Sequence, residues 1–160
     1  MFSVHIICVG KLKEKFYAAA VEEYTKRLGG YCKLTITELP EERLGDSPSP
    51  SQIDSALAKE GAAVLAKLPK GSVVTALCVE GQGLSSEGLS DKFAAWAGGG
   101  KSQLVFLIGS SNGLHPSVKS IADFKLSMSQ MTFPHHLARV MLLEQIYRAF
   151  KIQEGSHYHK

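Results

Sequence analysis

Short apolar runs alternate with stretches of helical periodicity along the whole chain, and this alternation most constrains the fold. Val4 to Val9, Lys33 to Leu39, Ser72 to Val79, Gln103 to Ile108 and Phe124 to Met128 read as strands. Between them, Glu14 to Leu28 reads as an amphipathic helix with Phe16, Ala20, Tyr24 and Leu28 on one stripe, closed by Gly29-Gly30. Ser51 is placed to cap a second helix through Leu68, with Ile53, Leu57, Val64, Leu65 and Leu68 inward and Pro69-Lys70-Gly71 as its stop. Ser85 to Ala97 forms a third, and a short helix can begin at Pro116. Pro134 to Lys151 is the longest, presenting Leu137, Val140, Met141, Ile146, Tyr147 and Phe150 to a core, with Glu144 and Arg148 spaced to pair. Strands and helices in this order predict an α/β fold: one parallel-type sheet with helices on both faces. Gln103 to Ile108, strongly apolar, is expected at the centre. Pro40 to Pro50 is a polar loop, and nothing divides the 160 residues into more than one domain.

Composition narrows the class. The chain is 44% hydrophobic and 21% charged, as expected of a soluble globular protein. Cys8, Cys32 and Cys78 are scattered without a CxxC pair, which predicts buried reduced thiols in a cytoplasmic protein and no disulfide. No secretory signal or membrane span is expected. The net charge of +3 permits an RNA partner without demanding one; weak charge hints at a second subunit or a partner that presents the RNA.

Chemistry concentrates at the ends of strands. The loop Ile108-Gly109-Ser110-Ser111-Asn112-Gly113-Leu114 follows the central strand, where open α/β sheets bind ligands. Gly109 allows a close backbone approach and Gly113 a positive φ. The same loop also reads as an ordinary strand-to-helix turn. Gly81-Gln82-Gly83, read as a loop closing the preceding strand, gains weight only by converging on the same crevice. Ser127 to Pro134 mixes hydroxyls, backbone amides and thioethers, a wall suited to an adenine ring and a sulfonium. Its plainer reading is a helix entry capped by Thr132. No HxxxH or HExxH spacing supports a metal site, and no phosphate loop or serine elbow is present. His135-His136 opens the last helix. The tail ending Tyr158-His159-Lys160 offers a stacking ring, a base and a cation, although tails are usually disordered. Arg139 and Arg148 can hold phosphate or serve as surface charges.

The strings Met131-Thr132-Phe133-Pro134-His135, Arg139-Val140, Glu144-Gln145, Tyr147-Arg148-Ala149 and Tyr158-His159-Lys160 resemble the RlmH family of ribosomal large-subunit pseudouridine methyltransferases, within the SPOUT superfamily. Val9 to Lys15 and Ser85 to Leu89 are similar to the same family. The resemblance implies a C-terminal trefoil knot, a homodimer, and S-adenosylmethionine held by Leu77, Gly81, Gly109 and Met128, Ser129, Gln130, Met131, Thr132 and Phe133. It implies methylation of a pseudouridine at N3 in 23S rRNA on assembled ribosomes. His159, Tyr158 and Arg139 are then the catalytic residues; His135, Arg148 and Lys160 lie on the substrate side. The family usually has glycine where Ser110 stands, so a hydroxymethyl crowds the loop if that position needs a positive φ. It often has proline or a small residue at the place of His157. The competing reading is a non-catalytic RNA-binding or ribosome-assembly protein on the same scaffold.

Overall fold

The computed structural model describes residues 1–159. Lys160 lies outside the described residues, as does the side chain of His159, so the roles expected of both are not seen here. The elements run β1 (Phe2–Val9), α1 (Lys15–Leu28), β2 (Cys32–Leu39), α2 (Pro50–Ala66), β3 (Val73–Gly83), α3 (Ser86–Gly98), β4 (Gln103–Ile108), α4 (Pro116–Ile121), β5 (Phe124–Ser127), α5 (His135–Gln153) and a 3-10 turn at His157–His159.

The strands form a five-stranded sheet in the order β2-β1-β4-β3-β5, and every pairing is parallel. Alternate residues therefore face opposite sides. Val4, Ile6, Cys8, Leu104, Phe106 and Ile108 pack with Leu28 of α1, Phe93 of α3 and Leu142, Leu143 and Ile146 of α5. Ile7, Val9, Val74, Ala76, Val105 and Leu107 pack on the other face with Val64 of α2 and Val118 of α4. The steps β1 to β2 and β3 to β4 move one way across the sheet, with α1 and α3 on one face. The steps β2 to β3 and β4 to β5 move the other way, with α2 and α4 opposite. All four crossovers thus share one hand, as a twisted parallel sheet requires. The α/β architecture and the central place of β4 agree with the sequence expectation.

Several local expectations are corrected. Phe16 is 67% exposed; the inward stripe of α1 is Val21, Tyr24 and Leu28, rotated away from Phe16. The cap of α2 is Ser49, not Ser51: Ser49 and Gln52 form a reciprocal capping box, and Pro50 takes the first helical position. Leu65 is exposed, because Ala56, Glu60 and Val64 form the buried stripe of α2 at i, i+4 spacing. In α5 the buried residues include Arg139, Leu142, Leu143 and Ala149, while Leu137, Val140, Met141 and Tyr147 are half-buried. The helix is covered by α1 and α3 on its flanks, so a wider arc than one stripe is buried. Within the tail, Tyr158 is held: its ring packs 5.0 Å from that of Tyr147 and its hydroxyl donates to Glu144.

The largest departure concerns Gly81-Gln82-Gly83, which belongs to β3 rather than to a loop. Leu126 of β5 pairs first with Leu77 and again with Gln82, so Cys78 to Gly81 bulge out of the ladder between the two pairings. A Cβ on Gly81 would lie 2.8 Å from the backbone carbonyl of Lys125. Gly81 is therefore the residue at which β3 and β5 close together again, and no larger residue fits. Gly81→Ala is expected to destabilise the fold by about 1–3 kcal/mol, as overpacking does. Urea unfolding tests this; an unchanged midpoint would mean that the β3–β5 closure does not need glycine.

Candidate functional site

The bulge of β3, the loop after β4 and the segment after β5 all emerge at the carboxyl ends of adjacent strands. Together they enclose a cleft of about 340 Å³, a volume at the small end of the range for small-molecule sites. Cys78, Val79 and Glu80 form one wall, Gly109 to Leu114 the floor, and Met128, Ser129, Met131, Thr132 and Phe133 the opposite wall. Of the expected cofactor residues, Leu77, Gly109, Met128, Ser129, Met131, Thr132 and Phe133 line the cleft. Gly81 and Gln130 do not. His135, expected on the substrate side, also lines it. Met131 is 74% exposed at its rim. Thr132 does not cap α5, whose N-cap is Pro134 without a side-chain hydrogen bond.

The floor is a tight turn held from below. Gly113 takes φ 84°, as expected, and its N–H donates to the Ser110 carbonyl at 2.8 Å. A Cβ on Gly109 would collide with the Gly113 carbonyl. Glycine is thus required there by the turn's own closure, rather than by a ligand's approach. Ser110 has no positive φ, so its hydroxymethyl is not crowded. It is buried, and its hydroxyl donates to Glu60 Oε1 at 2.9 Å. Glu60 Oε2 accepts the backbone N–H of Glu42 at 2.9 Å, and Ser111 donates to Glu41 Oε1 at 3.1 Å. The cleft floor is thereby tied to α2 and to the Pro40–Pro50 loop. Sequence reasoning missed Glu60; the signal was a carboxylate four residues from both Ala56 and Val64 on a buried stripe.

Electrostatics differ sharply across the site. Lys119, in the cleft wall, is paired with Glu80 at 2.5 Å. Burial pushes the His135 imidazole below its ordinary value, with help from the neighbouring His136 charge and opposed by Glu41. Among the described residues, His135 Nε2 is buried without a hydrogen-bond partner. Burial, with the Glu80 charge beside it, raises the Cys78 thiol, so the residue meets the ligand space as an un-ionised group. All three cysteines are free. Among the described residues no cluster of His, Cys, Asp or Glu is arranged to hold a metal ion. Among them, too, no helix is long and apolar enough to cross a membrane.

Of the other expected catalytic and substrate residues, Arg139, Arg148 and Tyr158 do not line the cleft of their own chain. Arg139 is 2% exposed; its Nη1 meets Glu38 at 2.7 Å and its Nη2 donates to the Gly10 carbonyl at 3.1 Å. Arg148 grips Glu144 at 2.6 Å and lies 4.9 Å over the Tyr158 ring. The Tyr158 hydroxyl donates to Glu144 Oε2 at 3.1 Å, and burial followed by that hydrogen bond raises its pKa. Among the described residues, the hydrogen bonds and ring contacts of Tyr158 go to Arg27, Glu144, Tyr147, Arg148 and Ser156, none of which lines the cleft.

A family model described as "Predicted SPOUT methyltransferase" matches residues 2–159. The chain belongs to the SPOUT methyltransferase family. Membership makes it a methyltransferase that draws on S-adenosylmethionine, with RNA as the acceptor class. The cleft fits such a cofactor by the chemistry of its lining. It has apolar and thioether surfaces for a ring and a sulfonium, hydroxyls and turn amides for polar edges, and its lysine already neutralised by Glu80.

The Arg139–Glu38 pair carries a pH signature. Burial raises the Glu38 carboxyl, but the hydrogen bonds from Arg139 and the Leu12 N–H, with the Arg139 and Lys11 charges, outweigh it and leave a lowered pKa. A lowered folded pKa gives stability that is present above the ordinary carboxylate value and lost as pH falls through the folded one. Glu38→Gln should cost about 2–3 kcal/mol at neutral pH, somewhat less than breaking a fully buried pair because Glu38 is 33% exposed. It should also flatten the stability loss below about pH 5. Urea titrations across that range check both; parallel acid limbs for the two proteins would contradict the assignment.

Proposed function

We propose that this SPOUT methyltransferase transfers a methyl group to N3 of a pseudouridine in 23S rRNA, on the assembled ribosome, as a homodimer whose C-terminal segment forms a trefoil knot. The reading rests on the long C-terminal strings that resemble the RlmH family, joined to a cleft built from the strand ends those strings flank. The cleft is the observation that carries it. Gly109 and Met128, Ser129, Met131, Thr132 and Phe133 line one cavity of about 340 Å³. When bound there, S-adenosylmethionine supplies an electrophilic methyl group on a sulfonium centre. Leu77, Met128 and Met131 would pack its apolar parts, while Ser129, Thr132 and the turn at Gly109 would meet its polar edges, with Gly81 and Gln130 supporting that wall from outside the cavity.

The residues of this chain must then bring a uracil edge to the cleft and remove the N3 proton. His159 is the proposed base and Tyr158 the ring that orients the uracil. Arg148 and Lys160 would meet phosphate, and His135 would face the substrate from the cleft wall. Arg139, buried against Glu38 and Gly10, acts in this proposal as a positioning residue beneath His135. Tyr158 is anchored on the middle of α5, apart from its own chain's cleft, which supports a tail that serves the cleft of a second copy. The second subunit would also supply what the modest net charge of +3 leaves wanting for RNA.

Labelled S-adenosylmethionine and ribosomes lacking the modification test the reading, with mapping of the methylated base. Transfer to a pseudouridine N3 is expected. His159→Ala should slow single-turnover transfer by about a hundredfold. Deleting Tyr158 to Lys160 should abolish transfer yet spare cofactor binding. Mixed dimers of that truncation with Thr132→Arg should regain activity that neither parent shows. Cofactor binding without transfer to any ribosomal RNA would favour the non-catalytic RNA-binding reading instead.

A further inference from the structure

The α1 end of the molecule carries a group of rings that the cofactor cleft does not use. From His135 in the cleft wall, the His136 ring lies 4.2 Å away, Tyr17 lies 6.2 Å from His136, and Phe16 lies 4.4 Å from Tyr17. The series leads from the cleft to open solvent, where Phe16 is 67% exposed. A large aromatic left in water at the start of an amphipathic helix is an uncommon feature in a chain whose other aromatics are mostly packed. Lys11 and Lys13 on the β1–α1 loop and Lys15 at the first position of α1 precede it and are exposed. The acidic groups nearby are committed. Glu14 pairs with His136 at 3.4 Å, Glu38 holds Arg139 and the Leu12 N–H, and Glu41 accepts from Ser111. The loop is therefore fixed in place, and among the described residues no ion pair holds Lys11, Lys13 or Lys15, although the Lys11 charge acts on Glu38. His136 Nε2, like His135 Nε2, is buried without a hydrogen-bond partner among the described residues.

We infer that this ladder of rings, edged by Lys11, Lys13 and Lys15, is the docking surface for unpaired RNA nucleotides that flank the target base. The inference rests on the RNA methyltransferase reading above and names where the RNA runs beyond the cleft. Exposed rings stack on unpaired bases of any sequence, and lysines beside them follow the phosphates. A protein partner or a second copy would cover Phe16 equally well, but neither calls for three exposed lysines so close to Phe16 in sequence. The ladder also starts in the cleft wall, so a strand lying along it would deliver its next base toward the cofactor.

The test is steady-state methylation of unmodified ribosomes by the full-length protein, with S-adenosylmethionine binding and sedimentation measured alongside. Phe16→Ala should raise KM for ribosomes about tenfold. Its kcat at saturation, its cofactor affinity and its subunit mass should stay within twofold of the parent, and Phe16→Trp should restore KM. Changing Lys11, Lys13 and Lys15 together to Gln should raise KM and lower the slope of log KM against log salt by about 2. If the parent methylates ribosomes and these variants keep its KM and salt slope, the docking surface is wrong and the functional reading survives. If Phe16→Ala instead splits the dimer, the ladder is a subunit contact and the inference is overturned. If the parent transfers no methyl group to ribosomal RNA, both fall together.

Discussion

β4 pairs in parallel with β1 on one side and β3 on the other, and Leu104 to Ile108 are buried from both faces of the sheet. A strand in that position cannot tolerate polar side chains, and it cannot end in a loop that wanders, because its neighbours end beside it. Two apolar layers meet through it: Phe106 belongs to the cluster beneath α1, α3 and α5, and Leu107 to the one beneath α2 and α4. Parallel pairing puts the carboxyl ends of β1, β4, β3 and β5 on one edge of the sheet. The cleft, the Arg139 clamp and the ring ladder all lie along that edge.

What distinguishes this edge from an ordinary open sheet is how closely the backbone is folded upon itself. Leu126 is paired twice by β3, and of the four residues between those pairings Cys78, Val79 and Glu80 make a cleft wall. Gly81 and Gly109 both stand where a Cβ would meet backbone, one against β5 and one against its own turn. Those glycines are required by the protein's closure upon itself, and the cavity is the consequence. The buried Glu60 then couples the floor of the cavity to α2 and to the loop after β2 by accepting hydrogen bonds from Ser110 and from the Glu42 backbone. A cleft assembled this way is tied down at its floor and exposed at Met131 and Phe133, a division suited to holding a small molecule while a large one arrives.

The alternation of strands and helices was legible because periodicity reports which faces are buried. The loop after β4 and the Met128–Phe133 run were legible because strand ends are where α/β sheets bind ligands. The β3 bulge was not. A Gly-Gln-Gly string reads as a turn until its partner strand is known, and Leu126 lies more than forty residues further along the chain. Arg139 looked like a free cation for the same reason, since its partners Glu38 and the Gly10 carbonyl are remote in sequence. Phe16 was assigned inward by helical spacing alone; the neighbours that decide which arc of α1 is covered are supplied by α5 and the sheet. Ser110 shows the converse case. The concern over a positive φ dissolved because the turn places that burden on Gly113.

The central claim is that the strand-end cleft of this SPOUT methyltransferase holds S-adenosylmethionine. Backbone amide shifts of the labelled protein, followed by NMR during titration with S-adenosylhomocysteine, test it most directly. The account predicts saturable shifts concentrated at Leu77 to Glu80, Gly109 to Leu114 and Met128 to Phe133, with the Pro40–Pro50 loop responding through Glu60. Saturable binding whose shifts cluster elsewhere, or no binding at all, would contradict it.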